Sequence, residues 1–93
     1  MSEFRIFETE EFTKSIKKLS SRDATFLTRK LRSFVYPQLK TEPLWGNNIK
    51  DLQGYTPETW RYRVGKFRVF YIVDQEDQII CVLSVDNRKD AYR

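Results

Sequence analysis

The N-terminal part of the chain shows two kinds of spacing between its hydrophobic positions. A short apolar run at residues 4–7 predicts a β-strand. Thr9 then offers a helix N-cap, and two glutamates follow in the first turn, where the helix dipole favours negative charge. Hydrophobic residues next recur at spacings of four and three, which predicts an amphipathic helix with lysines on its opposite face. Those hydrophobic residues are Phe12, Ile16 and Leu19.

A second and longer helix is predicted from about residue 23 to residue 35 or slightly beyond, after a polar break that carries a new N-cap. Pro37 lacks an N–H and disfavours helix immediately before it, so we expect no clean continuation past it. Two helices joined by so short a break form an antiparallel helical hairpin. The residues expected on the buried stripe of the second helix are Phe26 or Leu27, Leu31, Phe34 and Val35.

The rest of the chain predicts a connector and three strands. Residues 39–57 hold two of the three prolines and two of the three glycines, which indicates a connector that packs back onto the core. Residues 59–64 alternate large hydrophobic and basic side chains, as a half-buried strand does. Gly65 then takes the positive φ of a tight hairpin turn before a strand at residues 67–73. After a polar turn, residues 78–85 are apolar on both faces and predict an interior strand.

This order of elements predicts a single α+β domain that spans residues 1–93. The sheet is expected to have about four antiparallel strands, with an N-terminal α-helical hairpin packed on one face (β-α-α-β-β-β). The opposite face of the sheet is then open and available for function.

The net charge of +4 is unevenly distributed along the chain. Residues 10–40 carry eight basic against three acidic side chains, and residues 59–73 carry four basic side chains and no acidic one. The connector between these two basic segments is slightly acidic. Such a pattern fits a polyanionic partner, usually a nucleic acid, or an acidic protein. A basic domain without any such partner is the competing interpretation.

Composition excludes several classes of site. The chain has no histidine and one cysteine, so the usual zinc sites and the Cys–His or Ser–His nucleophiles are absent. The cysteine, Cys81, lies in an apolar run and is expected to be a small core residue. Scattered carboxylates and the lack of a glycine-rich phosphate loop lead us to expect neither a metal nor a cofactor. No apolar stretch approaches the roughly 18 residues of a membrane span, so we expect a cytoplasmic protein without a membrane partner.

The basic side chains of the predicted hairpin are the candidate site. On a strand, Arg61 and Arg63 project to the same face about 7 Å apart, which is close to the spacing of successive phosphates in a single strand. Arg68 joins them from the paired strand. Guanidinium groups bind phosphate oxygens through parallel hydrogen bonds and stack on bases. The alternative is that these arginines are only the solvent side of a half-buried sheet.

The C-terminal segment adds an aromatic and a basic group. Arg88 and Tyr92 follow the interior strand directly, and together they offer a base-stacking ring and a proton-transfer group. A frayed polar C-terminus is the competing interpretation. We also expect three lysines to bind RNA around this site, namely Lys50, Lys66 and Lys89.

Four segments follow one another in an order that is typical of a known family. A lysine-rich helical hairpin comes first, and the sequence IKDLQGY follows it. The hairpin WRYRVGKFRVFYIV matches the pattern R-x-R-x-G-x-Y-R, with Phe67 in the place of the tyrosine. The ending VLSVDNRKDAY supplies a last strand with a later arginine and tyrosine. Over almost its whole length, the chain resembles the RelE/ParE superfamily of toxins from type II toxin–antitoxin systems.

The resemblance implies a RelE-like fold and, for the RelE branch, a ribosome-dependent endoribonuclease that cuts mRNA in the ribosomal A site without a metal ion or cofactor. It also implies a cognate antitoxin as partner in a hetero-oligomeric complex. RelE itself carries lysines where two of these arginines stand, which alters any proton-transfer role because arginine hardly deprotonates. Two alternatives stay open: a ParE-like inhibitor of DNA gyrase without nuclease activity, or an inactive homologue that only binds RNA or an antitoxin. By this likeness the catalytic positions are Arg61, Arg63, Arg68, Arg88 and Tyr92.

Overall fold

Five β-strands and three α-helices make up residues 3–87, the part of the chain that the computed structural model describes. The helices are α1 (Glu10–Lys17), α2 (Ser21–Lys30) and α3 (Tyr36–Thr41), and a π-helical turn (Leu31–Val35) joins α2 to α3. The strands are β1 (Arg5–Glu8), β2 (Ile49–Leu52), β3 (Thr59–Val64), β4 (Phe67–Asp74) and β5 (Ile79–Asn87). They form one sheet in the order β1-β5-β4-β3-β2. The predicted α+β class is confirmed.

The sheet has one strand more than predicted. β2 lies inside the segment expected to be a connector, and it pairs with β3 from Ile49 opposite Tyr62 to Leu52 opposite Thr59. Its four residues include a lysine and an aspartate, so it lacks the hydrophobic alternation that marks a strand in sequence. β1 runs parallel to β5, whereas all other neighbours are antiparallel, so the sheet is mixed and not purely antiparallel.

The second helical segment continues past Pro37, contrary to the prediction. In the π-helical turn the N–H of Tyr36 donates to the carbonyl of Leu31, five residues back instead of four. This wider turn places Pro37 in the first turn of α3, where a helix needs no N–H from that residue. The helical run therefore extends to Thr41 and brings Leu39 into the core. Within residues 3–87, no helix is both long and apolar enough to cross a membrane.

Both predicted N-caps are confirmed. Thr9 Oγ1 accepts a hydrogen bond from the N–H of Phe12 (3.1 Å) and donates to the carbonyl of Val82 (2.9 Å). Ser20 Oγ accepts a hydrogen bond from the N–H of Asp23 (3.1 Å). The Thr9 hydroxyl thus begins α1 and also ties it to β5, which fixes the position of the first helix on the sheet.

The core lies between the helices and one face of the sheet. Because side chains alternate along a strand, the basic residues of β3 and β4 project from the opposite, open face. No helix in the described part of the chain packs over the centre of that face, where the candidate site lies. The side chains with almost no exposure are Leu27, Leu31, Val35, Leu39, Phe67, Val69, Tyr71, Ile80 and Val82.

Two expectations about the core are corrected. Phe34, which was expected in the stripe, is 60% exposed, whereas Leu27, one of the two alternatives given for α2, is buried. Both Phe34 and Val35 lie in the π-helical turn, where Val35 reaches the core and Phe34 faces solvent. Cys81 is half-buried, because it lies on the open face of β5 opposite Ile72.

Candidate nucleic-acid interface

Four basic side chains lie together on the open face of the sheet. β3 and β4 are joined by a two-residue turn in which Gly65 has a φ of 56°, as the sequence predicts. This turn fixes the register that puts Arg63 directly opposite Arg68, and β2 places Lys50 directly opposite Arg61. A slip of one residue would turn the side chains of one strand to the other face. The structure therefore brings four of the predicted site residues together.

Each of these two cross-strand pairs joins like charges. Directly opposite side chains have Cβ atoms about 4.5–5.5 Å apart, and like charges at that separation destabilise a sheet. Asp86 stands opposite Arg68 on β5 and offsets part of the charge on that side. The two basic rows are about 7 Å apart along β3, because every second residue shares a face. A polyanion placed across both rows would be attracted to all four cations.

Arg68 is the most constrained member of the group. Its guanidinium carbon lies 5.5 Å from the centre of the Phe70 ring, two residues along the same face of β4. Its Nε is buried and makes no hydrogen bond within residues 3–87. A buried donor without an acceptor costs about 1–3 kcal/mol, so packing alone does not account for this group. Sequence reasoning missed Phe70, although its two-residue spacing from Arg68 on a strand signals the contact.

Within residues 3–87, one predicted site residue is not part of this group. Lys66 lies in the hairpin turn, and its Nζ forms an ion pair with Asp23 of α2 at 3.3 Å. Its ammonium group also lies 5.5 Å from the centre of the Phe67 ring, whose side chain belongs to the core. Lys66 therefore faces the helices and not the open face. Three further predicted residues lie outside the described residues: Arg88, Lys89 and Tyr92.

Two tyrosines beside the sheet are held in the protonated form. Tyr71 donates to the carbonyl of Pro43 at 2.6 Å, and burial raises the pKa of its phenol well above the ordinary value. Tyr36 donates to Glu8 Oε2 at 2.6 Å, and burial together with that carboxylate raises the pKa of Tyr36. Neither phenol is a base near neutral pH, because each is kept protonated there.

Apart from Asp86 opposite Arg68, no carboxylate of the described residues stands directly opposite one of the four basic side chains. Within residues 3–87, no three His, Cys, Asp or Glu side chains come together in a group that could hold a metal ion. Asp51 and Glu58 do meet, and the hydrogen bond and the charge of Asp51 raise the pKa of Glu58 above its ordinary value. The chemistry of the open face is thus that of guanidinium and ammonium groups that attract an anion.

Comparison with known sequences points to one kind of protein. Residues 8–92 match the family described as the ParE toxin of type II toxin–antitoxin system, parDE. An archaeal protein inferred to be toxin RelE1, from Methanocaldococcus jannaschii, is 42% identical over 57 residues. These residues are 59% of this chain and 62% of that protein, so the matched part spans less than two thirds of the relative's length.

Solved structures share the fold. The toxin of the RelBE2 toxin–antitoxin complex from Mycobacterium tuberculosis superposes with a TM-score of 0.72 at 24% identity, over 92% of this chain and 99% of that one. A chain of the archaeal RelE–RelB complex from Pyrococcus horikoshii superposes with a TM-score of 0.68 at 22% identity. The superposition covers 95% of this chain and 97% of that one. At these identities the likeness establishes the arrangement of helices and strands.

Proposed function

This chain belongs to the ParE toxin family of type II toxin–antitoxin systems, within the RelE/ParE superfamily, and we propose that it is a toxin that cuts mRNA on the ribosome. One observation carries the proposal. Two adjacent rows of like charge stand on the open sheet face, and one of their members, Arg68, holds a buried Nε that lacks an acceptor. Both features are unfavourable for folding and favourable for binding a phosphate chain.

The proposed reaction uses the RNA's own 2′-hydroxyl as nucleophile. This oxygen attacks the adjacent phosphorus while the bond from phosphorus to the 5′-oxygen of the next nucleotide breaks. The products are a 2′,3′-cyclic phosphate and a 5′-hydroxyl, so the proton lost by the 2′-oxygen is balanced by the proton that the 5′-oxygen gains. Negative charge grows on the non-bridging phosphoryl oxygens during this step.

The arginines of the hairpin are proposed to stabilise that charge. Arg61, Arg63 and Arg68 present positive charge to the phosphoryl oxygens, and Lys50 extends the surface toward the neighbouring phosphate. Each well-placed donor in such a site is worth about 3 kcal/mol of barrier. Since guanidinium hardly deprotonates, these residues stabilise charge and do not move protons.

Two further roles follow from the family likeness. Tyr92 is proposed to stack on or orient the base and to serve as general base, and Arg88 to stabilise charge on the leaving oxygen. A phenol with a pKa near 10 ionises at neutral pH only if neighbouring cations lower that value, and the basic rows are the groups available to do so. Lys89 is proposed to bind RNA beside them.

A cognate antitoxin is the proposed protein partner. The similar toxins from M. tuberculosis and P. horikoshii are each found in a complex with an antitoxin. A hetero-oligomer with an acidic antitoxin would neutralise the basic rows by charge complementarity. With this partner and a ribosomal target, the protein would act in the cytoplasm.

A second candidate is inhibition of DNA gyrase without nuclease activity. The observation that favours it is the family match itself, because the matched family is that of the ParE toxins. The basic rows would then contact the gyrase–DNA complex and not mRNA.

Two assays on one purified preparation separate these functions. Ribosomes programmed with a defined mRNA are incubated with the protein, cuts are mapped by primer extension, and the fragment ends are identified chemically. Cuts inside codons that leave a cyclic phosphate and a 5′-hydroxyl support the proposal. Intact mRNA together with loss of gyrase supercoiling supports the second candidate. Binding to ribosomes with neither effect identifies an inactive homologue.

A further inference from the structure

The pairing of β4 with β5 is irregular at a point close to the basic rows. Tyr71 stands opposite Val82 and Phe70 stands opposite Ser84, so Leu83 is an extra residue on β5 at this point. Such a β-bulge redirects side chains and occurs often beside active sites. In an unbroken ladder Phe70 would face the leucine and not the serine. The bulge therefore leaves only a small side chain beside the Phe70 ring on β5.

Guanidinium groups lie on two other sides of the Phe70 ring. Arg61 stands directly opposite Phe70 on β3, and Arg68 lies two residues away on the same face of β4. The guanidinium carbon of Arg68 lies over the ring, 5.5 Å from its centre, which is within the range of a cation–π contact. The half-buried Phe70 is thus a partly exposed aromatic ring among the arginines of the open face.

The Arg68 guanidinium contacts this ring and not a carboxylate. Asp86 is its direct neighbour on β5, but within residues 3–87 neither Arg68 nor Asp86 forms an ion pair. A paired carboxylate would neutralise the guanidinium and occupy N–H donors, which lie in the plane of that group. A ring stacked on the face of a guanidinium leaves its charge and its in-plane donors available. The ring contact therefore restrains Arg68 and preserves its capacity to bind a phosphate.

Arg63 provides a contrast within the same row. It stands directly opposite Arg68, is exposed, and makes no cation–π contact in the part of the chain that the structure describes. Arg68 is restrained at two points, by the burial of its Nε and by the ring of Phe70. A preorganised cation stabilises charge that develops during a reaction, because it needs no reordering at that moment.

We propose that Phe70 is a positioning residue that orders the Arg68 guanidinium toward the phosphoryl oxygen that gains charge during RNA cleavage. The inference rests on the proposed function, because that charge arises in the proposed reaction. Phe70 acts through Arg68, so its effect falls on the rate of the cleavage step and not on binding to the ribosome. A displacement of about 1 Å can slow catalysis by about 100-fold, so loss of the ring has a measurable effect.

The test compares single-turnover cleavage of mRNA on programmed ribosomes by wild type, Phe70→Leu and Phe70→Tyr. Leucine is apolar but offers no π face, so we expect the maximal rate to fall by about tenfold or more. The toxin concentration that gives half the maximal rate should stay within about threefold of the wild type. Tyrosine keeps the ring and should restore the rate to within about threefold of the wild type.

Ile72→Leu is the matched control for a change of apolar side chain on this strand. Ile72 lies two residues beyond Phe70 on the same face of β4 and is also half-buried. Its replacement is expected to leave the rate within about twofold of the wild type. Thermal unfolding of every variant checks that the fold is kept.

A double-mutant cycle determines whether the ring acts through Arg68. If it does, Phe70→Leu combined with Arg68→Ala cleaves within about twofold of Arg68→Ala alone, because the group that the ring positions is already absent. A further loss of about tenfold in the double variant would mean that the ring contacts RNA itself, as in stacking on a base. That result overturns the inference.

The motion of the Arg68 side chain gives a readout that does not depend on cleavage. The order parameter from ¹⁵N relaxation at Arg68 Nε is expected to be lower in Phe70→Leu than in the wild type and in Phe70→Tyr. Equal order parameters, or cleavage by Phe70→Leu at the wild-type rate while Arg68→Ala is slow, overturn the inference and leave the proposed function standing. If the wild type cuts no mRNA, the proposed function fails and the role of Phe70 fails with it.

Discussion

The surroundings of Arg68 are unfavourable for folding in two respects. Its Nε is buried without an acceptor in the described residues, and it stands opposite another arginine. Both features destabilise the folded protein, and the contact between the Arg68 guanidinium and the Phe70 ring offsets only part of that cost. Such a residue is typical of a functional site, where an unfavourable group is kept because a ligand satisfies it.

Replacing Arg68 with methionine is expected to stabilise the protein. Arg68→Met keeps an unbranched stem over Phe70 but removes the unpaired donor and the repulsion from Arg63. We expect the free energy of unfolding in urea to rise by about 1 kcal/mol while mRNA cleavage is lost. A fall of similar size would instead show that Nε has a partner in the folded protein.

The ionisation of Glu58 is opposed by the nearby carboxylate of Asp51. Asp51 raises its pKa through a hydrogen bond and through its charge, so the folded state holds the Glu58 proton more tightly than the unfolded state does. The repulsion therefore weakens the fold above that pKa and disappears below it. Asp51→Asn is expected to lower the pKa of Glu58 toward its ordinary value, as measured by ¹³C NMR titration. It is also expected to raise the melting temperature at neutral pH and not in acid, and an unchanged Glu58 pKa would contradict this assignment.

At the scale of elements, the junctions between helices and strands determine where the site is presented. The Thr9 hydroxyl caps α1 and bonds to the carbonyl of Val82, so one side chain joins β1, α1 and β5. Ser15 Oγ accepts from the N–H of Val85, just beyond the irregularity in the pairing of β4 with β5. These contacts hold α1 along β5 and leave the face with the arginines open.

Loss of the Thr9 hydroxyl is expected to destabilise the whole domain. Thr9→Ala removes the N-cap and the bond to Val82, so the free energy of unfolding should fall by about 1–2 kcal/mol. Thr9→Ser retains the hydroxyl and should lie within about 0.5 kcal/mol of the wild type. Equal stability of the alanine and serine variants in chemical denaturation would show that the cap is not needed.

The elements that could be predicted from sequence are those with local signals. The β3–β4 hairpin was predictable because Gly65 and strict alternation lie within a few residues, and they also placed Arg61, Arg63 and Arg68 on one face. β2 was not, because its four residues lack hydrophobic alternation. The parallel pairing of β1 with β5 was not, because it joins residues far apart in sequence. Likewise, the ion pair of Lys66 with Asp23 follows only once α2 lies against the hairpin.

At the scale of the whole molecule, the helices and the connector are held on the sheet by buried phenols. Tyr71 donates to the carbonyl of Pro43, and Tyr62 donates to Gln38 Oε1, each at 2.6 Å. These bonds lie behind the open face and connect it to the end of the helical run. Arg63 belongs to one of the basic rows and also lines the groove between the second helical segment and the β3–β4 hairpin.

Removing the Tyr71 hydroxyl is expected to loosen this connection. Tyr71→Phe leaves the carbonyl of Pro43 buried without its donor, so the free energy of unfolding should fall by about 1–3 kcal/mol. Tyr55→Phe, at an exposed position, should stay within about 0.5 kcal/mol of the wild type. If both variants unfold at the same denaturant concentration as the wild type, the buried bond is not a structural tie.

Whether RNA is cleaved at the open sheet face is tested by single-turnover cleavage of mRNA on programmed ribosomes, with wild type, Arg68→Ala and Arg29→Ala compared. Arg29 lies on α2, away from the basic rows, and its replacement removes the same charge. We expect Arg68→Ala to cleave at least about 100-fold more slowly and Arg29→Ala to stay within about threefold of the wild type. Equal rates for Arg68→Ala and the wild type would contradict the assignment of the open sheet face as the site of RNA cleavage.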